Sequence, residues 1–423
     1  MRLWRSGLKV LVLRGNRGAH VRMLITETVL LSVLYPWILV TALFERRKRR
    51  DRPRVFWGTV PLISIKYHQQ AIKLFGYDSV SVVDELYFLT ARSDFDHTTW
   101  ELLERTPVVK WLPVGFKRRI VAYSTFLWAL RRCDIFVFYA SSMILRYTRL
   151  KFRELWLLRL AGKKVVMLAY GGDVQVASRA TNLLYKHALA QDYPAFVRGE
   201  KRTLRELDYL SRSADHIVSG VDWVDYMPWW DRLTVGHFAI DMRQWQPSRP
   251  RSRPRADRVV VLHAPNHREI KGTRFLIRAC EELAAEGVPV ELELLEGVPN
   301  TLIHERMAEA DIVADQFIIG WYAMFAIEGM SMGKPVLCYL RPDLLELHSL
   351  YATANDCPLV NTPPLRIKDI LRDLVADPER REELGRRGRD YVEANHSLEA
   401  VGAMFDAIFR GFGMPADHAQ VRM

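Results

Sequence analysis

Asp311-Ile-Val-Ala-Asp315-Gln-Phe-Ile-Ile-Gly320-Trp-Tyr-Ala-Met-Phe-Ala-Ile-Glu328-Gly-Met-Ser-Met-Gly333-Lys334-Pro335-Val-Leu-Cys-Tyr339 is the stretch from which the architecture of this chain can be read. A short apolar run enters a loop, a helix of about ten residues is expected from Met324, and Gly333-Lys334-Pro335 stops it before a strand at 336–339. Strand, loop, helix, strand is the unit of a parallel α/β sheet. Such a loop turns backbone N–H groups and a positive helix end toward an anion above the sheet. Glu328, in the first turns of the helix, is a poor ligand for phosphate but accepts hydrogen bonds from sugar hydroxyls. A phosphate beside a ribose is the simplest ligand that uses both features.

The same alternation extends outward on both sides. Upstream, 55–60 reads as a strand, 66–75 as a helix closed by Gly76, and 79–83 as a second strand. A helix over 116–132 leads to a buried-type strand at 134–140, and a helix over 151–161 to a strand from Lys164 that ends in Gly171-Gly172-Asp173. Ligands of open α/β sheets sit beyond the carboxyl ends of strands. Gly171, Gly172 and Asp173 are therefore either an acceptor contact or a tight turn in which Asp173 caps the next helix. A helix over 198–213 and a strand follow, and then 247–257, nearly all Pro, Ser and Arg, as an exposed linker. The second half restarts with a strand at 259–264, a loop carrying Arg268 and Lys271, and a helix over 274–285. The planar fork of an Arg, the point charge of a Lys and a helix end together make an anion site, unless the loop is a solvated turn. A strand at 290–295 and a helix at 300–310 lead to Asp311. Amphipathic helices at 366–376 and 378–395 and a last helix at 397–411 complete the chain.

The segment ending in Met330-Ser-Met-Gly-Lys-Pro-Val336 resembles the donor-site signature of glycosyltransferase family 4, retaining enzymes in which Glu-x7-Glu precedes a small-residue helix and Gly-x-Pro-Val. Glu328 matches the second glutamate. Gly320 stands where the first would be, and Trp321-Tyr322-Ala323 replaces the usual Gly-Phe-Gly. Residues 235–247 are similar to the segment closing the family's N-terminal domain, through Asp241, Trp245 and Pro247, and 382–392 resembles its C-terminal helix.

The resemblance, over roughly residues 55–412, implies an α/β, GT-B fold: two Rossmann-like domains facing each other across a cleft, to which the uncharged run near the start adds an N-terminal apolar helix. Together these readings divide the chain into a membrane-associating segment (1–54), an acceptor domain (55–246), a linker (247–257), a nucleotide-sugar domain (258–395) and a helix crossing back (396–423). The resemblance assigns Arg268, Lys271 and Glu328 as catalytic and places Glu296, Gly297 and Thr301 near the nucleotide base. Gly320, Trp321, Tyr322, Ala323 and Glu328 would line the donor, and Gly171, Gly172 and Asp173 the acceptor side. The implied reaction moves a sugar, with retention, from a nucleotide-diphosphate donor to a hydroxyl of a glycan or lipid-linked acceptor, a polysaccharide or glycoconjugate precursor. Charge growing on the leaving diphosphate would be met by Arg268, Lys271 and the N–H groups of 321–323. Two other readings stay open: a catalytically degenerate GT-B scaffold subunit, suggested by Gly320, and a nucleotide-sugar epimerase of the same fold.

The formal net charge of +12 is concentrated at Arg46–Arg50 with Arg52 and Arg54, and at 249–258. Solvated flanks carry such runs, and so do proteins resting on anionic membranes. Residues 28–44 hold no charge, include Pro36 and have basic residues on both sides. They read as a membrane span, as a kinked helix dipping into one leaflet, or as a core helix. Residues 22–54 are thus expected at a membrane surface, with the protein monotopic or peripheral on the cytoplasmic face. No zinc spacing, helix-turn-helix or RNP-like strand points to a nucleic-acid partner. Cys133, Cys280, Cys338 and Cys357 show no paired spacing, as in a reducing compartment. None of the twelve histidines forms a metal motif. No metal is expected, and no cofactor beyond the nucleotide-sugar co-substrate; His263, His267 and His304 read as packing or surface residues.

Overall fold

The computed structural model describes residues 17–416 except 49, 51, 85, 87–90, 105–113, 141, 248–257 and 352–356. The expectations for residues 1–16, for all of the linker but Pro247, and for 417–423 lie outside the described residues. A long helix, α1 (Arg17–Glu45), comes first. The first sheet and its helices follow as β1 (Arg54–Thr59), α2 (Ile63–Leu74), β2 (Asp78–Val83), β3 (His97–Thr98), α3 (Thr99–Glu104), α4 (Val114–Arg132), β4 (Ile135–Tyr139), α5 (Glu154–Leu160), β5 (Lys164–Leu168), α6 (Leu183–Asp192), α7 (Pro194–Arg198), α8 (Glu200–Ser213), β6 (His216–Gly220) and β7 (Arg232–Thr234). The second set is β8 (Val259–His263), α9 (Arg268–Lys271), α10 (Thr273–Ala285), β9 (Val290–Leu294), α11 (Asn300–Glu309), β10 (Ile312–Ala314), α12 (Met324–Ser331), β11 (Val336–Cys338), α13 (Pro342–Tyr351), β12 (Val360–Asn361), α14 (Ile367–Ala376), α15 (Pro378–His396) and α16 (Leu398–Gly411). All strand pairs are parallel, in the orders β3-β2-β1-β4-β5-β6-β7 and β12-β11-β10-β8-β9.

Strand side chains alternate between faces, so the central strands of the first sheet feed two cores. Phe56, Phe136, Phe138 and Met167 join one cluster, and Val55, Trp57, Val137, Tyr139 and Leu168 the other. The first cluster is covered by α4, α5 and α1; the second by α2 and, from the far end of the chain, α16. Trp57 meets Phe405 edge to face at 5.2 Å, and the Tyr77 hydroxyl donates to Asp406 (2.8 Å). Gly402 is needed at this crossing, since a Cβ there would lie 2.6 Å from the Ala71 carbonyl oxygen.

α1 is docked along α4 and α5 rather than standing apart. Buried Glu27 accepts from Arg119 (2.7 Å), the Tyr123 hydroxyl (2.9 Å) and the Arg149 N–H (3.0 Å), while buried Glu45 pairs with Lys48 (2.6 Å) and Arg50 (3.2 Å). Its apolar stretch is thus pinned at both ends, with Ile38 and Ala42 in the core and Val29, Val33, Trp37, Leu43 and Phe44 exposed.

Candidate functional site

The second sheet reverses direction between β8 and β10, because the chain runs from β8 to β9 on one side and then returns to the other. A crevice at such a reversal is where open parallel sheets bind ligands, and the expected cationic residues lie there. They are not in a loop. Residues 268–271 form the single helical turn α9, ended by Gly272 at φ +73°, where a Cβ would lie 2.9 Å from Ile318 Cγ1. The turn aims Lys271 Nζ at Asp315 Oδ1 (2.8 Å) and Gln316 Oε1 (2.7 Å), the two residues that follow β10. An ammonium has three protons, so one remains for an anion above the crevice. Asp315 is fully buried, and its other oxygen accepts the Ala323 N–H (3.2 Å).

Glu328, in the second turn of α12, completes a cluster with Lys271 and Asp315. It keeps some surface, but protein surrounds its carboxyl on most sides. This burial pushes it up to about 8; the Asp315 charge acts the same way and the Lys271 charge opposes. At neutral pH this favours the protonated form of Glu328, which can both donate and accept hydrogen bonds. Folding favours the neutral form. The stability this brings is full below the value of a free carboxyl, about 4.3, and is lost as pH rises toward about 8. Glu154 and Asp222, also raised by burial to about 8, act in the same direction. Glu328→Gln is expected to flatten the fall of Tm with pH over that window without removing it, in melts recorded across the range. An unchanged slope would mean Glu328 is ionised in the fold.

Arg268 forms a bidentate pair with Glu296 (2.8 and 2.5 Å), half-exposed at the end of β9. Gly297 (φ +65°) has open space around it and Thr301 is exposed in the first turn of α11. His263 lies between the two ion pairs, its ring bonded to Ala314 O (2.7 Å) and Thr273 Oγ1 (2.9 Å); burial holds it down near 4, as a packing histidine. His304 packs on Trp245, and His267 on Tyr193.

Four positions expected to line the donor make contacts within the protein. The Trp321 and Tyr322 side chains are core residues, 1% and 2% exposed, and the Tyr322 hydroxyl bonds to Tyr391 (2.8 Å) and His396 (3.1 Å). The Ala323 N–H is committed to Asp315. Gly320 is a packing position: φ is +94°, a Cβ would lie 2.5 Å from Arg341 Cγ, and its carbonyl accepts the Arg341 N–H (2.9 Å). Arg341 in turn pairs with Asp343 and, across to the first sheet's side, with Asp225 (2.6 and 3.2 Å). Gly171, Gly172 and Asp173 form a 3-10 turn at the carboxyl end of β5, with open space at both glycines.

Asp315, Gln316, Asp225 and Arg341 were not legible as site residues. Asp315 directly follows a strand, a weak signal, but its pairing with Lys271 spans 44 positions. Loops of the first sheet brace this crevice as well: Asn182 donates to Ile318 O (2.7 Å), and Asp192 accepts the Ile270 N–H (3.0 Å).

Two parallel α/β sheets facing each other across such loops, with a last helix returning from the second to the first, make the GT-B fold. Solved structures agree. A sucrose-phosphate synthase from Thermosynechococcus elongatus superposes with a TM-score of 0.56 at 13% identity, covering 86% of this chain and 99% of that one. The catalytic domain of starch synthase IV from Arabidopsis thaliana, bound to ADP and acarbose, gives 0.54 at 10% identity over 86% and 99%. An alpha-glucosyltransferase in complex with UDP-glucose and DNA gives 0.52 at 11% identity over 85% and 100%. No protein-family model matches the chain, and no curated protein sequence does.

Proposed function

We propose that this protein is a glycosyltransferase of the family 4 kind that moves a sugar, with retention, from a nucleoside-diphosphate donor to an acceptor hydroxyl. The observation that carries the reading is Lys271 held by buried Asp315 beside Glu328, whose carboxyl is raised by burial, at the reversal point of the second sheet. Departure of a diphosphate is the costly step, and a fixed ammonium in a shielded crevice stabilises the charge that grows there. Asp315 orients Lys271. Glu328, able to donate and accept, suits a ribose or sugar hydroxyl. Arg268 would meet the diphosphate by exchanging part of its pairing with Glu296. The ADP and UDP-glucose bound in structures of the same fold support a donor of this class.

The test is a thermal-shift series across nucleoside diphosphates with the full chain. One of them is expected to stabilise the protein, by about 2.7 kcal/mol at a hundred times its Kd. No response to any would remove the donor reading.

The proposal includes a place of action, the cytoplasmic membrane face, with a lipid-linked or glycan acceptor. The exposed apolar face of α1 supports it, extended by exposed Phe152 and Trp156 beside and on α5 and flanked by Arg46, Arg47 and Lys48. Trp37→Asp with Phe44→Asp is expected to leave the protein at the bottom of a flotation gradient in which the parent rises with anionic vesicles. Equal flotation would clear α1 of this role.

A further inference from the structure

α5 lies between α1 and α8. Arg153, just before it, donates to the Tyr35 hydroxyl of α1 (3.1 Å), while the Leu155 N–H donates to the Tyr209 hydroxyl (3.0 Å) and Arg159 to the Ser213 carbonyl (2.9 Å), both of α8. The three helices therefore share one face. On the α8 side this face holds a groove of about 500 Å³, lined by Lys151 and Phe152 ahead of α5 and by Arg198, Lys201, Arg202 and Arg205 of α7 and α8.

α8 turns Leu207 and Leu210 inward, and its cations come out on the other side. Glu206 is the one acid in the wall; it is buried and accepts from both Lys151 and Arg202, the latter at 2.8 Å. Arg198, Lys201 and Arg205 are exposed, and their side chains make no ion pair or hydrogen bond among the described residues. Five cations against one carboxylate leave a formal excess of four. The acids nearest in sequence are committed elsewhere: Asp208 pairs with Arg212 (2.7 Å), Glu200 accepts the Ser178 N–H (2.9 Å), and Asp192 the Ile270 N–H (3.0 Å). Like charges one turn apart, as at Lys201 and Arg205, weaken a helix, so the fold gains nothing from this pair. Between the groove and the exposed stripe of Val29, Val33, Trp37 and Phe44 on α1 stand the half-exposed rings of Phe152 and Trp156.

We propose that this groove seats the phosphodiester headgroups of anionic phospholipids, so that the protein meets a bilayer with α1, α5 and α8 together. The forks of the arginines take phosphate oxygens in pairs, and the lysines add mobile point charges. Apolar rings beside a cationic groove engage both parts of a lipid, whereas a soluble polyanion would leave Trp37, Phe152 and Trp156 in water. This headgroup site rests on the membrane reading given above and adds to it the lipid chemistry recognised.

The test is flotation of the full chain with phosphatidylcholine vesicles, with and without phosphatidylglycerol. The triple variant Arg198→Ala/Lys201→Ala/Arg205→Ala removes three cations, each worth about fivefold near an anionic surface, and is expected to weaken binding to the phosphatidylglycerol vesicles by about a hundredfold. A control triple, Arg366→Ala/Arg380→Ala/Arg386→Ala, takes the same charge from exposed positions on the side of the second sheet and is expected to float like the parent. Both triples are expected to keep the parent's Tm, because every changed side chain is exposed. Loss in the groove variant alone supports the site. Equal loss in both triples means that net charge is read and not the groove, which overturns it, as does parental flotation that is the same with and without phosphatidylglycerol. Binding to heparin that depends on the three cations, in a protein whose flotation does not, assigns the groove to a soluble polyanion and also overturns it. Trp37→Asp with Phe44→Asp separates the two failures. If that variant stays at the bottom while the groove variant still rises, the membrane reading stands and the headgroup site falls; a parent that floats with neither vesicle removes both.

Discussion

Gly320→Glu, although it restores the residue that the family 4 signature carries at this position, is expected to destabilise the protein by about 4 kcal/mol. The backbone at Gly320 lies at φ +94°, which for any other residue costs of order 1–3 kcal/mol. The new Cβ would sit 2.5 and 2.7 Å from Cγ and Cδ of Arg341. Those atoms are mid-chain, and moving them pulls the guanidinium from Asp225. Both partners of that pair are about nine-tenths buried, and breaking such a pair costs about 3–5 kcal/mol. Denaturant midpoints of parent and variant measure the loss. A difference under about 1 kcal/mol, below the strain cost alone, would show that the loop accepts a side chain and that Gly320 marks a missing catalytic group.

Lys271→Ala is expected to lower kcat/KM by two to three orders of magnitude and to abolish most of the nucleotide-induced thermal shift, on the scale of removing one oxyanion-type donor, about 3–4 kcal/mol. The same change leaves Asp315, fully buried, without its cation, and so costs stability as well. The double variant Lys271→Ala/Asp315→Asn resolves the two effects, since a neutral amide no longer needs the ammonium. Tm is expected to recover while donor response and turnover do not. If turnover recovered with Tm, Lys271 would be a structural residue and the donor site would lie elsewhere.

The repeating strands and helices were readable because each has its own period: apolar runs at 134–140 and 259–264 became central strands buried on both faces, and the amphipathic run at 397–411 became α16. Short elements gave no such signal. β3, β7 and β12 have two or three residues each, too few for an alternation to show. The cationic half of the candidate site was visible because Arg268 and Lys271 precede a helix; their carboxylate partners were not, because contacts across 28 and 44 positions leave no local mark. The orientation of the Trp321 and Tyr322 rings was unreadable for a related reason. Sequence shows that a loop carries large aromatic rings, but which way they turn is decided by the core waiting beneath them, here Tyr391, His396 and His348. The groove beside α8 forms only where α5 packs against it, a neighbour that neither segment encodes.

The two passages of the chain between the sheets run side by side: the Ile240 N–H donates to His396 O at 2.8 Å, and Ile240 bridges to Ser397. The two halves are therefore joined along one spine, like the two boards of a book, and the Arg341–Asp225 pair, with the Asn182 and Asp192 contacts, ties them together away from it. A swing of the boards about Ile240 and Ser397 would have to break all of these ties at once, so the ties that keep the book shut also set how readily it opens.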